Sequence, residues 1–143
     1  MAGSRVRDCV NAAVDTLKSD TGLLALVGDA TRINVHIPQG TDTPYTMIMG
    51  GDEIPWAQAF GDDTPSRQVD VLVQCVSTYR GSSQVDGIAS RVMDVLTDDT
   101  TWASVSGFSA VEFVRNAFQP PVDLNADGVL WFVRLVSVRV SLI

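Results

Sequence analysis

The clearest pattern of apolar and polar positions lies between Arg67 and Thr97. In RQVDVLVQCVS, Val69, Val71, Val73 and Cys75 recur at every second residue. That period puts them on one face of a strand. Tyr79-Arg80-Gly81 breaks the alternation, and the next residues, SSQVDGIASRVMDVLT, take a helical period. Val85, Ile88, Ala89, Val92 and Leu96 are three or four residues apart and make one apolar stripe. Ser82 or Ser83 suits the N-cap, and Asp86 suits the positive end of the helix dipole. A strand that feeds an amphipathic helix through a short turn must bury both apolar faces against each other. Val73 and Val92, each mid-element, are expected to meet across that interface.

The rest of the chain reads as layers added to this pair. Ser4 to Asp20 is expected as a helix, with Val6, Cys9, Val10, Ala13, Val14 and Leu17 on its stripe. Leu23 to Val27 adds a turn that Gly28 stops. Arg32 to Ile37 and the YTMIMGG segment after Pro44 read as two short strands. Asp52 to Ser66 has two prolines, a glycine and four acids, and is expected as an irregular, mobile loop. Asp98 to Thr101 reads as a second loop. Phe108 to Phe118 fits either period, and Gly107 before it with Pro120-Pro121 after it favour a strand. In the last segment, Val136, Val138, Val140 and Leu142 share one face, against Ser137, Arg139 and Ser141. Trp131, Val133 and Leu135 make part of that second face apolar too. The expectation is an α+β fold: a mainly antiparallel sheet of four or five strands with two main helices packed on one face.

A length of 143 residues suits one domain, here residues 1–143. The net charge of −7, without any basic run, argues against a dedicated nucleic-acid binder or a protein docked on an anionic membrane. Cys9 and Cys75 both fall on apolar faces, where a free thiol behaves as a small hydrophobe. That suits a reduced, intracellular setting, while the sequence leaves a disulfide between them open. The N-terminus lacks the apolar core of a signal peptide, and the apolar C-terminal run is interrupted by Arg134 and Arg139.

No set of residues carries a catalytic or metal-binding signature. DLNADG, Asp123 to Gly128, copies the first half of a calcium loop through Asp123, Asn125 and Asp127. The twelfth position, where that loop needs a bidentate Glu, is Arg134, so the segment reads as a turn before a strand. His36 is the only histidine and no nucleophile motif accompanies it. Gly50-Gly51 lacks the Lys and Ser/Thr of a phosphate loop. Two cysteines and one histidine do not complete a zinc site. No catalytic residue, metal or cofactor is therefore expected. The residues expected to make contacts with other subunits or partners are Ile54, Trp56 and Phe60 in the loop and Trp131, Val133 and Leu135 in the last strand. Aromatic side chains on a loop and apolar side chains on the second face of a strand need a partner to bury them.

The order of these features resembles the tail-terminator, or tail-completion, proteins of long-tailed bacteriophages. The likeness is carried by Leu24, Leu26 and Gly28, by Arg32, Val35, Pro38, Pro44 and Tyr45, and by Ser77, Gly81, Ile88, Val92 and Leu96. It implies a structural virion protein that forms a closed homo-oligomeric ring, typically of six subunits. Such a ring caps the tail tube, ends its polymerisation and presents a surface to the head connector. Its partners would be the tail-tube protein and the head–tail connector, its place the head-proximal end of the tail, and its assembly site the host cytoplasm. DNA would pass through the lumen without sequence-specific binding, and no membrane is involved. Two alternatives remain open: another phage neck or head-completion protein, and a small ligand-binding domain or enzyme.

If DLNADG acts only as a turn, combining Asp123→Ala with Asp127→Asn leaves function intact. A calcium titration followed by melting temperature checks this: a rise in the wild type that the double variant lacks would establish a calcium site.

Overall fold

A computed structural model describes residues 5–37, 43–55, 67–78, 82–123 and 128–143. The elements run α1 (Arg5–Ser19), α2 (Thr21–Val27), a 3₁₀ turn (Ala30–Arg32), β1 (Ile33–Asn34), β2 (Tyr45–Pro55) and β3 (Arg67–Ser77). They continue α3 (Ser83–Leu96), α4 (Asp99–Trp102), β4 (Phe108–Val122) and β5 (Trp131–Leu142). The strands form one sheet in the order β1-β2-β3-β5-β4. β1 runs parallel to β2, and every other pairing is antiparallel. The fold is α+β, as the periodicities predict.

The core lies between the sheet and the helices. Val69, Val71 and Val73 of β3 stand opposite Val140, Val138 and Val136 of β5. All six are fully buried. Branched side chains suit this pleated, covered surface, and each fully buried valine contributes roughly 1.5–3 kcal/mol relative to exposure. α1 packs on β2 and β3, and α3 on β5 and β3, so both main helices cover the same face. α1 approaches β2 at Gly50, where an added Cβ would overlap the Val6 side chain. The glycine thus sets the distance between that helix and the sheet.

Short elements close the ends of the helix layer. Asp20 caps α2 by accepting a 2.8 Å hydrogen bond from the Leu23 N–H. It also receives Arg91 Nε at 2.8 Å and Nη2 at 2.6 Å, which ties the α1–α2 junction to α3. Gly28, at φ 94°, closes α2 with a bond from its N–H to the Leu24 carbonyl. At the far end of α3, Thr101 Oγ1 donates to the Val95 carbonyl at 2.5 Å and Trp102 Nε1 to the Leu96 carbonyl at 2.7 Å. These two side chains satisfy carbonyls that a helix end leaves without an intrahelical partner.

Four local expectations change. β1 covers only Ile33–Asn34 of the expected Arg32–Ile37 strand. β2 does not stop at its glycines. It runs through them to Pro55 with a register shift between Gly50 and Glu53, so Asp52 to Pro55 belong to the sheet rather than a loop. The Asp98–Thr101 stretch holds the helical turn α4, whose N-cap Asp98 accepts from the Thr100 N–H. β4 continues through Pro120 and Pro121 to Val122. Proline is tolerated there because β4 is an outer strand, where no further ladder requires its missing N–H. Ser82 occupies the N-cap position of α3, yet its hydroxyl makes no capping bond.

Val73 and Val92 are both fully buried in the cluster between sheet and helices. Val73→Ala is expected to cost on the order of 1–3 kcal/mol in denaturant unfolding. Val92→Asp should cost far more because it buries an unpaired charge. Gln74→Ala, on the other sheet face, should stay below about 0.5 kcal/mol. A second prediction concerns pH. The Arg91 hydrogen bonds, helped by the Leu23 N–H, hold the Asp20 carboxyl below the usual carboxylate range. A depressed folded-state pKa stabilises above the unfolded-state pKa and is lost as pH falls through the folded one. Asp20→Asn should therefore lower the melting temperature at neutral pH, by an amount that shrinks as the solution is made more acidic than pH ~4.

Candidate interaction surface

The sheet face away from the helices is built in rows across the strands. At one end stand Tyr45, Val76, Val133 and Gln119, on β2, β3, β5 and β4 in turn. The next row is Met47, Gln74, Leu135 and Ala117, and the third is Met49, Leu72, Ser137 and Arg115. A fourth row joins Asp70, Arg139 and Glu112. The face thus grades from apolar to charged. At the charged end Arg139 binds Asp70 through Nε at 2.8 Å and Nη2 at 3.4 Å. Both partners are partly solvated, so the pair fixes side-chain geometry more than it adds stability. A shallow cavity of about 300 Å³ opens beside this pair, between Leu72, Leu135 and Val114.

Of the residues expected to make contacts, Trp131, Val133 and Leu135 all lie on this face, half-buried. Neighbouring rows cover part of their area, since Val76 between Tyr45 and Val133 is only 3% exposed. Trp131 Nε1 is buried and has no hydrogen-bond partner among the described residues. Ile54 is exposed near the end of β2, on the same face as Gln68 and so at the far, charged end from Trp131. Trp56 and Phe60 fall outside the described residues. The structure therefore brings Trp131, Val133 and Leu135 together and leaves Ile54 apart from them.

A second exposed apolar surface was not legible from strand alternation. It lies on the hairpin formed by β4 and β5, where Phe113, Val114, Phe118, Val122, Val129 and Leu130 are all exposed. Phe113 pairs with Val138 and Phe118 with Arg134, both on the helix side of the sheet. The helices reach β5 and cover little of β4, so the two phenyl rings project past them. Arg134 stacks over Phe118 at 5.3 Å and binds Asp86 of α3 at 2.6 Å. The clue in the sequence was the density of phenylalanine in FSAVEFVRNAF. The register shift between Phe113 and Arg115 hid which side chains share a face.

The chemically capable residues do not converge. His36 is exposed just beyond β1. Cys9 and Cys75 are free and fully buried, and burial pushes their thiols up to about 11 and about 12. Such thiols are poor nucleophiles and poor metal ligands at neutral pH. Among the described residues no three His, Cys, Asp or Glu side chains are grouped to hold a metal ion. At the DLNADG segment, Gly128 has φ 81° and its N–H donates to Asp123 Oδ2 at 2.9 Å. A positive φ favours glycine at that position; the turn expected over residues 124–127 lies outside the described residues.

No individually curated protein matches by sequence. Among solved structures, a chain from the "Virion of native gene transfer agent (GTA) particle" superposes with a TM-score of 0.67 at 20% identity, covering 92% of this chain and 92% of that one. At that identity the likeness is one of fold. The family model described as "Tail completion protein gp17" matches residues 11–135, from within α1 to within β5. The chain belongs to the tail completion protein gp17 family.

Proposed function

We propose that this protein is a structural component of a phage tail that caps the tail tube, ends its polymerisation and provides the surface for joining to the head connector. The observation that carries this reading is the family match across residues 11–135. The fold shared with a chain of a gene transfer agent virion supports a place in a virion particle. The surface supports it as well. The exposed features are apolar edges and a graded sheet face, the kind of surface that packs against protein.

The working form is a closed homo-oligomeric ring, most simply of six copies, stacked between tail-tube protein and connector at the head-proximal end of the tail. It assembles in the host cytoplasm. Trp131, Val133 and Leu135 make the subunit or tube contacts, together with Ile54 and the Trp56 and Phe60 side chains. DNA passes through the lumen. A net charge of −7 in each copy disfavours phosphate adhesion, so DNA slides rather than sticks. The role needs no cofactor and no catalytic residue.

Solution mass and negative-stain imaging test the reading together. Rings are expected either from the isolated protein or on purified tail tubes. Infected cells lacking the protein should produce tails of uncontrolled length. A strict monomer at high concentration and in the presence of tubes overturns the ring. Normal tail lengths without the protein overturn the capping role.

A further inference from the structure

The shallow cavity of about 300 Å³ on the open sheet face draws its lining from all four long strands, β2, β3, β5 and β4. Two register shifts flank it, Gly50/Glu53 in β2 and Phe113/Arg115 in β4. Both start from one row, Gly50–Val71–Val138–Phe113. Such shifts bend and twist the strands that carry them. On the β2 side Gly51 keeps the cavity open, since a Cβ there would stand 3.0 Å from the Asp70 Cβ. On the β5 side Ser137 lines it and is only 5% exposed. Its hydroxyl has no hydrogen-bond partner among the described residues. Arg115, also in the lining, pairs in register with Ser137 and is exposed. It makes no ion pair or hydrogen bond through its side chain among the described residues.

We propose that this notch takes the carboxylate of a glutamate-type side chain from a neighbouring protein, held by the Arg115 guanidinium and the Ser137 hydroxyl. The groups left free at this end are donors. A planar guanidinium matches the two oxygens of a carboxylate, and a buried hydroxyl without a partner gains from an acceptor that reaches it. The chain's own acids do not fill that place. Asp70 gives both oxygens to Arg139. Asp52, on β2, is three strand spacings from β4, roughly 14 Å. Glu112 faces Arg139 in the next row and makes no ion pair with Arg115. Leu72, Leu135 and Val114 offer apolar walls to an aliphatic stem, which inorganic phosphate lacks. The three acids around the notch also repel a doubly charged anion more than a single carboxylate. That the carboxylate comes from a neighbouring protein rests on the reading above of a tail component. Binding of the group itself does not.

The test titrates the full chain with sodium butyrate, a carboxylate on an aliphatic stem, and separately with inorganic phosphate, at constant ionic strength. NMR follows the Arg115 Nε–H and the Ser137 amide. Butyrate is expected to shift both signals saturably and phosphate to shift them less. Arg115→Ala, at an exposed position, should weaken butyrate binding at least about tenfold, the loss of a charge-assisted hydrogen bond. Ser137→Ala should weaken it less, and circular dichroism confirms that both variants fold. Shifts that do not saturate, or that survive Arg115→Ala at the Ser137 amide, overturn the site. Phosphate binding as tight as butyrate overturns the carboxylate assignment and makes Arg115 an unselective cation. The source is tested by mass photometry of Arg115→Glu, alone and with tail tubes, where weaker association than wild type is expected. Butyrate binding with unchanged association of Arg115→Glu overturns the neighbouring protein as the source. A wild type that neither forms rings nor binds tubes removes the tail reading and that source with it, while the titration still decides the notch.

Discussion

The structure depends on one apolar ladder. Val69, Val71 and Val73 face Val140, Val138 and Val136 across the centre of the sheet, and two helices must cover both columns at once. A valine ladder is flat and stiff, since branching at Cβ leaves little rotamer freedom. The helices therefore adapt to the sheet. α1 comes down where Gly50 leaves room, and α3 runs alongside under the control of two ion pairs. Arg91 to Asp20 holds it toward α1 and α2, and Arg134 to Asp86 holds it toward β5. Two helices across a five-stranded sheet leave the outer strand bare. The exposed phenyl groups of β4 follow from that geometry.

Elements governed by a clean period were legible from the chain alone. β3, α3 and α1 fall within a residue or two of their expected limits, because each buries one continuous face, while β5 starts at Trp131, three residues into the expected GVLWFVRLVSVRVSLI segment. The misplaced boundaries are those where tertiary pairing overrides local punctuation. Two adjacent glycines read as the end of β2, yet pairing with β3 carries the strand past them through a register shift. Pro120-Pro121 read as the end of β4, yet an outer strand tolerates prolines. Asp98 to Thr101 read as a loop, but the turn it forms brings Thr101 and Trp102 back onto the last carbonyls of α3. Nothing in a linear reading of DDTTW signals that return.

The candidate surface was legible to the same degree and for the same reason. Trp131, Val133 and Leu135 were visible because β5 alternates without interruption, so the second face could be read directly. Phe113 and Phe118 were not, because a shift between Phe113 and Arg115 changes the parity of β4. An odd spacing of five thus places both rings on the helix side. Their exposure also depends on where the helix layer ends, which is a property of the packed molecule and not of the segment.

Several of the polar groups are engaged within the fold. The cysteines, which in a catalytic site would be partly exposed and drawn toward the thiolate, are instead sealed in the core with raised pKa values. Asp20, Asp70 and Asp86 are each engaged by an arginine, and Asp29 and Asp98 accept backbone N–H groups at element starts. These carboxylates fix neighbouring side chains and element starts in place. The exposed large apolar side chains gather mainly on the β4–β5 hairpin. Phenylalanine and valine side chains left outside put uncovered apolar area at the edges of the sheet. Burial at roughly 25 cal/mol per Å² makes those edges the places where association is favourable.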